Sequence, residues 1–353
     1  MRNLLKFTML FSVFVTLAQE KETDSIKKFT FSGSGDGYFR QNINGPNGKD
    51  AIAPNTSFAN QNGFALGMAN VIGSFEGKKV GAVVDLVFGP RGTAAVFGSL
   101  QWDIDGDGLD DLGNSSQIIN KLYVYWNISE KVTLTFGNFN TFLGYEVISP
   151  VGNFNYSTSY MFSYGPFSHT GLKMDYALND NWSFMLAVMN GNDFTNFNPT
   201  NNYTLGAQIG YAGTYLNFVY GPQFQVDLTT GFDITDKLYL GVNSTYFKDD
   251  DGSFYGAAIY PQYQIANSFS LGLRAEYFAE TDEGVGAIGE YDTAGNANVF
   301  EFTLTGNYNI GDLMIIPELR LDTASENTFL DTKLDPTNSL ASFLVAVVYK
   351  FKI

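Results

Sequence analysis

The last fourteen residues of the chain read LASFLVAVVYKFKI and alternate between two kinds of side chain. Large apolar residues occupy every second position from Phe343 to Ile353, and the residues between them are mostly smaller or charged. A two-residue period is typical of a β-strand with one apolar face. An exposed apolar strand at a sheet edge invites aggregation unless that edge is paired. The simplest partner is the first strand of the same chain, so the C-terminus predicts the closing strand of a barrel.

The rest of the chain, from Lys28 onward, predicts fifteen further strands, which gives sixteen in all. Most are about ten residues long, the length at which a tilted strand crosses a bilayer. Short connections made of turn residues, such as Ala212-Gly213, alternate with long polar connections, such as residues 90–116. The link between Tyr220 and Gln223 is the weakest point, because it is too short for this alternation. Short periplasmic turns and long external loops predict an all-β fold, an antiparallel up-and-down transmembrane β-barrel of about 16 strands.

Two other all-β folds compete with this interpretation, a soluble β-sandwich and a β-propeller, but neither predicts a strict short–long alternation of connections. The composition, with 37 Gly, 32 Phe and 21 Tyr, suits a β-barrel with aromatic residues at the membrane interfaces. No internal stretch has the roughly 18 consecutive apolar residues that a spanning helix needs. The chain has no cysteine, which excludes thiolate chemistry.

The N-terminus has the pattern of a secretory signal peptide. Arg2 and Lys6 precede an apolar run that ends at Leu17, and the small residue Ala18 follows it. We therefore expect a cleaved signal peptide at residues 1–18, a periplasmic leader at 19–27 and one barrel domain at 28–353. Cleavage changes the net charge from −16 to −18, because it removes two basic residues and no acidic ones. Such a chain lacks the basic footprint of a nucleic-acid-binding protein and is compatible with attracting cations.

Charged side chains on the late strands identify the interior face of the predicted barrel. They alternate with apolar residues, and a charge facing lipid near the midplane costs about 2–4 kcal/mol. We therefore expect them to line a water-filled lumen, since sixteen strands enclose more space than their own side chains fill. An alternative role is a structural lattice of ion pairs that stiffens the wall. The predicted pore-lining residues are Arg274, Glu276, Glu280, Glu301, Glu318, Arg320, Asp322 and Lys121.

The third long connection carries a family resemblance. Its sequence from Asn153 to Gly171, NFNYSTSYMFSYGPFSHTG, is followed by Met189-Asn-Gly191. This segment resembles the β-barrel porin type 2 family of Gram-negative outer membranes. The resemblance implies an outer-membrane porin, and it carries over no catalytic residues.

This connection, residues 143–168, is long enough to have a function of its own. It either folds into the lumen as a constriction or packs outside as a cap on the neighbouring loops. In the first case Tyr156, Tyr160, Tyr164 and the sole histidine, His169, would form the constriction. A Ser–His hydrolase site is the enzymatic alternative, but Ser168 and His169 are adjacent, and strand neighbours point to opposite faces. We therefore predict that the protein is not an enzyme.

The pattern as a whole predicts a passive diffusion channel for small hydrophilic solutes in the outer membrane of a Gram-negative bacterium. The alternative is a non-transporting surface barrel, such as an adhesin, whose acidic, calcium-binding loops carry the binding function. The expected partners are outer-membrane lipid and small solutes, without nucleic acid. Glycine-rich early strands would also suit barrel–barrel contact in a homo-oligomer.

The second long connection contains an acidic motif that suits a hard cation. Asp103, Asp105 and Asp107 provide oxygens at positions 1, 3 and 5, a glycine follows, and Asp111 stands at position 9. The motif resembles the loops of EF-hand-like and thrombospondin type 3 repeats, but Asn114 replaces the bidentate Glu at position 12. We expect a weak structural Ca²⁺ site and no other cofactor. The alternative is a solvated acidic loop.

We predict that the purified barrel binds Ca²⁺ with a dissociation constant on the order of 10⁻⁴–10⁻³ M, the range of extracellular calcium modules. Calorimetric titration with CaCl₂ should show saturable heat that Asp105→Ala removes, because this substitution takes away a central oxygen ligand. Glu290→Ala, in a different loop, should leave the titration unchanged. An equal response from wild type and Asp105→Ala would contradict the prediction.

Overall fold

The computed structural model describes residues 28–99 and 115–353. The predicted signal peptide and leader, and the predicted calcium ligands Asp103, Asp105, Asp107 and Asp111, lie outside the described residues. Among the residues that are described, no helix has the length and apolar character needed to cross a bilayer.

The described chain is built almost entirely from β-strands. Two short α-helices occur in its connections, α1 (Pro90–Ala95) and α2 (Tyr160–Tyr164). Short 3₁₀ turns lie at Gly48–Asp50, Ser115–Ile118 and Pro150–Gly152. The strands are β1 (Lys28–Asn42), β2 (Gly63–Glu76), β3 (Val80–Phe88), β4 (Ile119–Asn127), β5 (Val132–Asn140), β6 (Ser168–Ala177), β7 (Trp182–Met189), β8 (Thr204–Tyr211), β9 (Thr214–Tyr220), β10 (Phe224–Thr235), β11 (Leu238–Lys248), β12 (Ser253–Ala266), β13 (Phe269–Thr281), β14 (Ala297–Ile310), β15 (Leu313–Ala324), β16 (Phe329–Leu330), β17 (Pro336–Thr337) and β18 (Ser339–Lys352).

Sixteen of these strands form one closed antiparallel barrel, which confirms the predicted fold. Each barrel strand pairs with the next along the chain, and β16 and β17 form a separate two-stranded sheet in the last long connection. The closing strand β18 pairs with β1 in a register that runs from Ser32↔Lys352 to Asn42↔Ser342. All edges of the barrel sheet are thereby paired, which is what a sheet in hydrocarbon requires.

The connections alternate as the sequence predicts. On one side of the barrel the strands are joined by two to four residues, and on the other side most connections are long. Ala212 and Gly213 have φ angles of 47° and 86°, as the tight turn favoured by twisted hairpins requires. The short link after Tyr220 is also a hairpin, because β9 and β10 pair directly. The sixteen-strand count therefore holds at its weakest point.

The two faces of the wall differ as the alternation predicts. Leu304 and Leu319, on β14 and β15, are exposed on the exterior. The interior face of the same strands carries Glu301 and Glu318, which are buried. The half of the barrel nearest the long loops is filled by an apolar core, in which Met161 and its neighbours pack against side chains of β11 to β14.

Candidate functional site

The connection between β5 and β6, residues 141–167, enters the barrel, and we call it the inner loop. Its side chains Tyr156 and Tyr160 are at most 2% exposed. The side-chain amide of Asn307 on β14 donates a hydrogen bond to the carbonyl oxygen of Phe154 at 2.8 Å, across 153 residues of sequence. The inner loop therefore lies inside the barrel, against the wall formed by β13 to β15, rather than over the outer rim.

Two carboxylates of the wall bind backbone N–H groups of the inner loop. Glu318 on β15 accepts hydrogen bonds from the N–H groups of Tyr156 and Ser157 at 2.6 and 3.1 Å. Glu276 on β13 accepts from the first two residues of α2, each at 2.8 Å. The first N–H groups of a helix have no partner within the helix, so a carboxylate is a favourable ligand for them.

Two arginines of the same wall bind the carbonyl oxygens between these N–H groups. Arg274 on β13 donates to the oxygen of Ser157 at 2.7 Å, and Arg320 on β15 donates to the oxygen of Thr158 at 2.8 Å. Six backbone groups of residues 156–161 are thus paired by wall side chains, four N–H groups by glutamates and two carbonyl oxygens by arginines. An unpaired backbone group buried here would cost free energy, so this pairing stabilises the loop inside the barrel.

The buried arginines also have carboxylate partners. Arg274 lies 2.8 Å from Glu301 on the wall and 2.7 Å from Glu146 of the inner loop. Arg320 lies 2.8 Å from Asp322. Removing one partner of such a buried pair leaves an uncompensated charge and costs about 3–5 kcal/mol. The cluster therefore depends on all of its members.

The predicted pore-lining residues divide into two groups. All eight lie on the interior face, but seven are at most 6% exposed, and they hold loops or pair with one another instead of bordering open water. Glu280 holds a different connection, accepting hydrogen bonds from the N–H groups of Val285, Ala287 and Ile288. The alternation predicted the direction of these side chains correctly, but it could not show that a loop would cover them. The seven are Arg274, Glu276, Glu280, Glu301, Glu318, Arg320 and Asp322.

Two residues that sequence analysis missed hold the other side of the inner loop. Arg91 on α1 donates to the carbonyl oxygens of Ile148 and Tyr156 at 2.8 and 3.0 Å. Asp36 on β1 accepts hydrogen bonds from the hydroxyl of Tyr156 at 2.5 Å and from the N–H of Met68 at 3.1 Å. The alternation of β1 points Asp36 inward and could have identified it. Arg91 lies outside any strand, so the two-residue period gives no signal for it.

The three predicted constriction tyrosines are in the inner loop, packed against the wall. The hydroxyl of Tyr156 binds Asp36. The ring of Tyr160 stacks on Phe278 with centroids 5.5 Å apart, and half-buried Tyr164 lies near the same ring at 6.2 Å. All three rings therefore lie inside the barrel, and their role as a constriction stays a prediction.

His169, the fourth residue predicted for the constriction, lies on β6, which begins at Ser168, and not in the inner loop with the three tyrosines. The imidazole is fully buried. Its Nε2 shares a hydrogen bond with Oγ1 of Thr141 at 3.0 Å, and the ring packs against Phe142 at 5.2 Å between centroids. These contacts give His169 a packing role where the inner loop leaves the wall.

Asp193, in the connection between β7 and β8, holds the other end of the inner loop. Its Oδ1 accepts hydrogen bonds from the N–H groups of Phe167 and Ser168 at 2.7 and 2.9 Å. Burial raises the pKa of Asp193 from 3.8 to about 6, although both N–H groups lower it. A raised pKa means that ionisation of this carboxyl costs folding free energy, and the cost appears as pH rises through this interval.

A second set of interior charges is partly exposed. Lys121 on β4 lies 3.3 Å from Asp85, and its side chain is 24% exposed. Lys173 and Asp175 on β6 lie 2.9 Å apart, with side chains 23% and 43% exposed. The sheet is closed, so exposure on its interior face reports space inside the barrel. That space lies beside β4 and β6, across from the wall that binds the inner loop.

A closed sixteen-strand barrel with an apolar exterior, interior charges and a loop folded into its lumen defines an outer-membrane channel of the porin class. Residues 28–351 match the model of the family described as "Putative beta-barrel porin-2, OmpL-like". The chain belongs to this family and is a porin of the Gram-negative outer membrane. The family found by the comparison is the one that the segment from Asn153 to Gly171 resembles.

Solved structures with the same fold include three outer-membrane proteins. The channel DcaP of Acinetobacter baumannii is 13% identical, with a TM-score of 0.55, over 94% of this chain and 99% of that one. OprB of Pseudomonas putida is 10% identical, with a TM-score of 0.55, over 92% and 94%. A loop L8 deletion mutant of OmpT from Vibrio cholerae is 12% identical, with a TM-score of 0.53, over 93% and 100%. A comparison with curated protein sequences finds no match.

We predict that Glu276→Ala combined with Glu318→Ala releases the inner loop, because four of its N–H groups lose their acceptors. Hydrogen exchange of the amides of residues 156–161 should accelerate by at least about tenfold, since each hydrogen bond to a charged group contributes about 1.5–3 kcal/mol. Glu290→Ala, at an exposed position, is the control and should leave these amides protected. Unchanged protection in the double variant would show that other contacts hold the loop.

Proposed function

We propose that small hydrophilic solutes diffuse passively through the space between the inner loop and the wall formed by β4 to β7. The support is the difference in exposure between two sets of interior charges. Those of β13 to β15 are buried against the loop, whereas Lys121, Lys173 and Asp175 are partly exposed. Charges of both signs along a wetted wall favour polar solutes, whose hydration they can replace, over apolar ones.

The polar wall extends toward the turn side of the barrel. Tyr123 and Tyr125 on β4 are half-buried on the interior face, next to Gly137 and Thr135 of the neighbouring strand β5. Such side chains offer hydroxyl groups and ring surface without a fixed charge. The path therefore combines a few charges of opposite sign with neutral polar groups, which suits weak selectivity among small solutes.

We predict that the wild-type barrel forms ion-conducting channels in a planar bilayer and that Lys173→Ala makes them more selective for cations. The variant removes a positive charge from the wetted wall. The permeability ratio should change on the order of two- to fivefold, since a unit charge about 4 Å from an ion in water contributes about 1 kcal/mol. Reversal potentials under a salt gradient measure this ratio.

Two comparisons complete this experiment. Lys248→Ala removes an exposed lysine at the loop end of β11 and should leave the ratio unchanged. Arg320→Ala should alter conductance through movement of the inner loop, because Arg320 is buried there. A barrel that inserts but does not conduct would contradict the channel and favour a non-transporting surface protein.

We also propose that barrels associate through the exterior of β1, β2 and β18. A groove of about 750 Å³ lies there, and we call it the outer groove; it is lined by residues that include Gly35, Phe64, Leu66 and Val347. Phe64 is 91% exposed. A solved OmpT structure of the same fold, 12% identical with a TM-score of 0.52, is described as a trimer form. A concave apolar surface on a membrane-facing wall suits the rigid packing of a second barrel.

We predict that Gly35→Trp fills the outer groove and shifts the protein toward the monomer. A Cβ atom at residue 35 meets no other atom within 4 Å, so the substitution leaves the barrel itself undisturbed. Analytical ultracentrifugation in detergent measures the mass. Ala257→Trp, on the exterior of β12, is the matched control and should retain the wild-type mass. A monomeric wild type would contradict the proposal.

A further inference from the structure

A chamber of about 630 Å³ lies inside the barrel on the turn side of the inner loop. Tyr239 and Ser270 are the second residues of β11 and β13, and Asn309 is the second-last residue of β14, so all three lie near the turns. The inner loop contributes residues such as Phe154 to the opposite boundary. A solute that passes the inner loop therefore enters this chamber on the periplasmic side.

The chamber is neutral although the protein is strongly acidic. Eleven described residues line it, and none of them carries a carboxylate, an amine or a guanidinium. The buried charges of the neighbouring wall, Arg274 and Glu301, are paired with each other and are not among the lining residues. The chamber therefore offers no favourable partner to an ion, and its chemistry selects for neutral polar groups.

Aromatic rings are held against the wall of the chamber at two glycines. A Cβ atom at Gly241 would lie 2.5 Å from the ring of Tyr145, and one at Gly272 would lie 2.4 Å from the ring of Phe154. Any other residue at either position would displace a ring. Tyr145 also stacks on Tyr260, with centroids 4.2 Å apart. Both rings are thus fixed before any solute arrives, which lowers the entropy cost of binding.

Side-chain amides also line the chamber. Asn307 is 5% exposed, and its Nδ2 donates a hydrogen bond to the carbonyl oxygen of Phe154 at 2.8 Å. Its Oδ1 has no hydrogen-bond partner among the residues that the structure describes. Gln262 and Asn309 add two further amides to the lining. A buried acceptor of fixed orientation, lacking a protein donor, is suited to a ligand hydroxyl.

We infer that this chamber is a binding subsite for neutral carbohydrate. Sugars present apolar C–H faces, which pack on aromatic rings. Their hydroxyl groups can both donate hydrogen bonds to side-chain amides and accept hydrogen bonds from them. Tyr239 and Phe154 provide the rings, and Asn307, Gln262 and Asn309 provide the amides. The inference names a solute class for the diffusion channel proposed above and rests on that function for its physiological role.

Binding of maltose to the purified full-length barrel tests the inference directly. Saturation-transfer NMR in a detergent without a sugar headgroup measures it independently of conduction, and block of ionic current by maltose added on the turn side measures it in a bilayer. We expect Tyr239→Ala and Asn307→Leu each to weaken binding on the order of tenfold. Tyr215→Ala is the matched control, because Tyr215 pairs with buried Gly210 on the interior face of β9, outside the chamber. It should bind as the wild type does.

The charged analogue maltobionate separates recognition of a neutral sugar from simple filling of the lumen. It should bind more weakly than maltose, because no lining residue is basic. Equal binding of the two, equal effects of Tyr239→Ala and Tyr215→Ala, or no maltose signal would each overturn the inference. A barrel that binds maltose but carries no current would instead overturn the diffusion channel and leave the subsite standing. Protection of the inner-loop amides from hydrogen exchange verifies that Asn307→Leu has not released the loop.

Discussion

The pairing of β1 with β18 is the interaction on which the rest of the structure depends. Hydrocarbon offers no hydrogen bonds to a free strand edge, so the sheet is stable in a membrane only when it is closed. Closure also separates two environments, an exterior in which Leu304 and Leu319 contact lipid and an interior that tolerates charge. Without it, neither the buried arginines nor the partly exposed charges of β4 and β6 could be placed at this depth.

The interior charges have different roles on two sides of the barrel. On β13 to β15, glutamates bind four N–H groups and arginines bind two carbonyl oxygens of residues 156–161, and this pairing stabilises an irregular loop inside the barrel. On β4 and β6, Lys121, Lys173 and Asp175 remain partly exposed. A loop held firmly on one side defines a path on the other, which is why conduction is proposed there.

Much of the fold could be predicted because the membrane makes the two-residue period strict. A register slip by one residue would place every charge of a strand in lipid, so the pattern of β14 or β18 has only one acceptable interpretation. Short turns such as Ala212-Gly213 mark where one strand ends and the next begins, so the number of strands could also be predicted. The site was harder to predict. Arg91 lies in a connection, where no two-residue period marks inward-facing side chains. His169 lies on β6, which begins at Ser168, the last residue of the predicted connection.

The sequence by itself determined the sheet, its closure and which side chains face inward, because each of these follows from local alternation and from the cost of placing charge in hydrocarbon. Only the tertiary structure decided what the inward side chains do. Glu318 and Lys121 both occupy inward-facing positions of their strands, yet Glu318 is covered by the backbone of the inner loop and the side chain of Lys121 is partly exposed. That difference arises because Glu318 meets Tyr156 of the inner loop, 162 residues away in sequence, and alternation along a strand carries no information about so distant a contact.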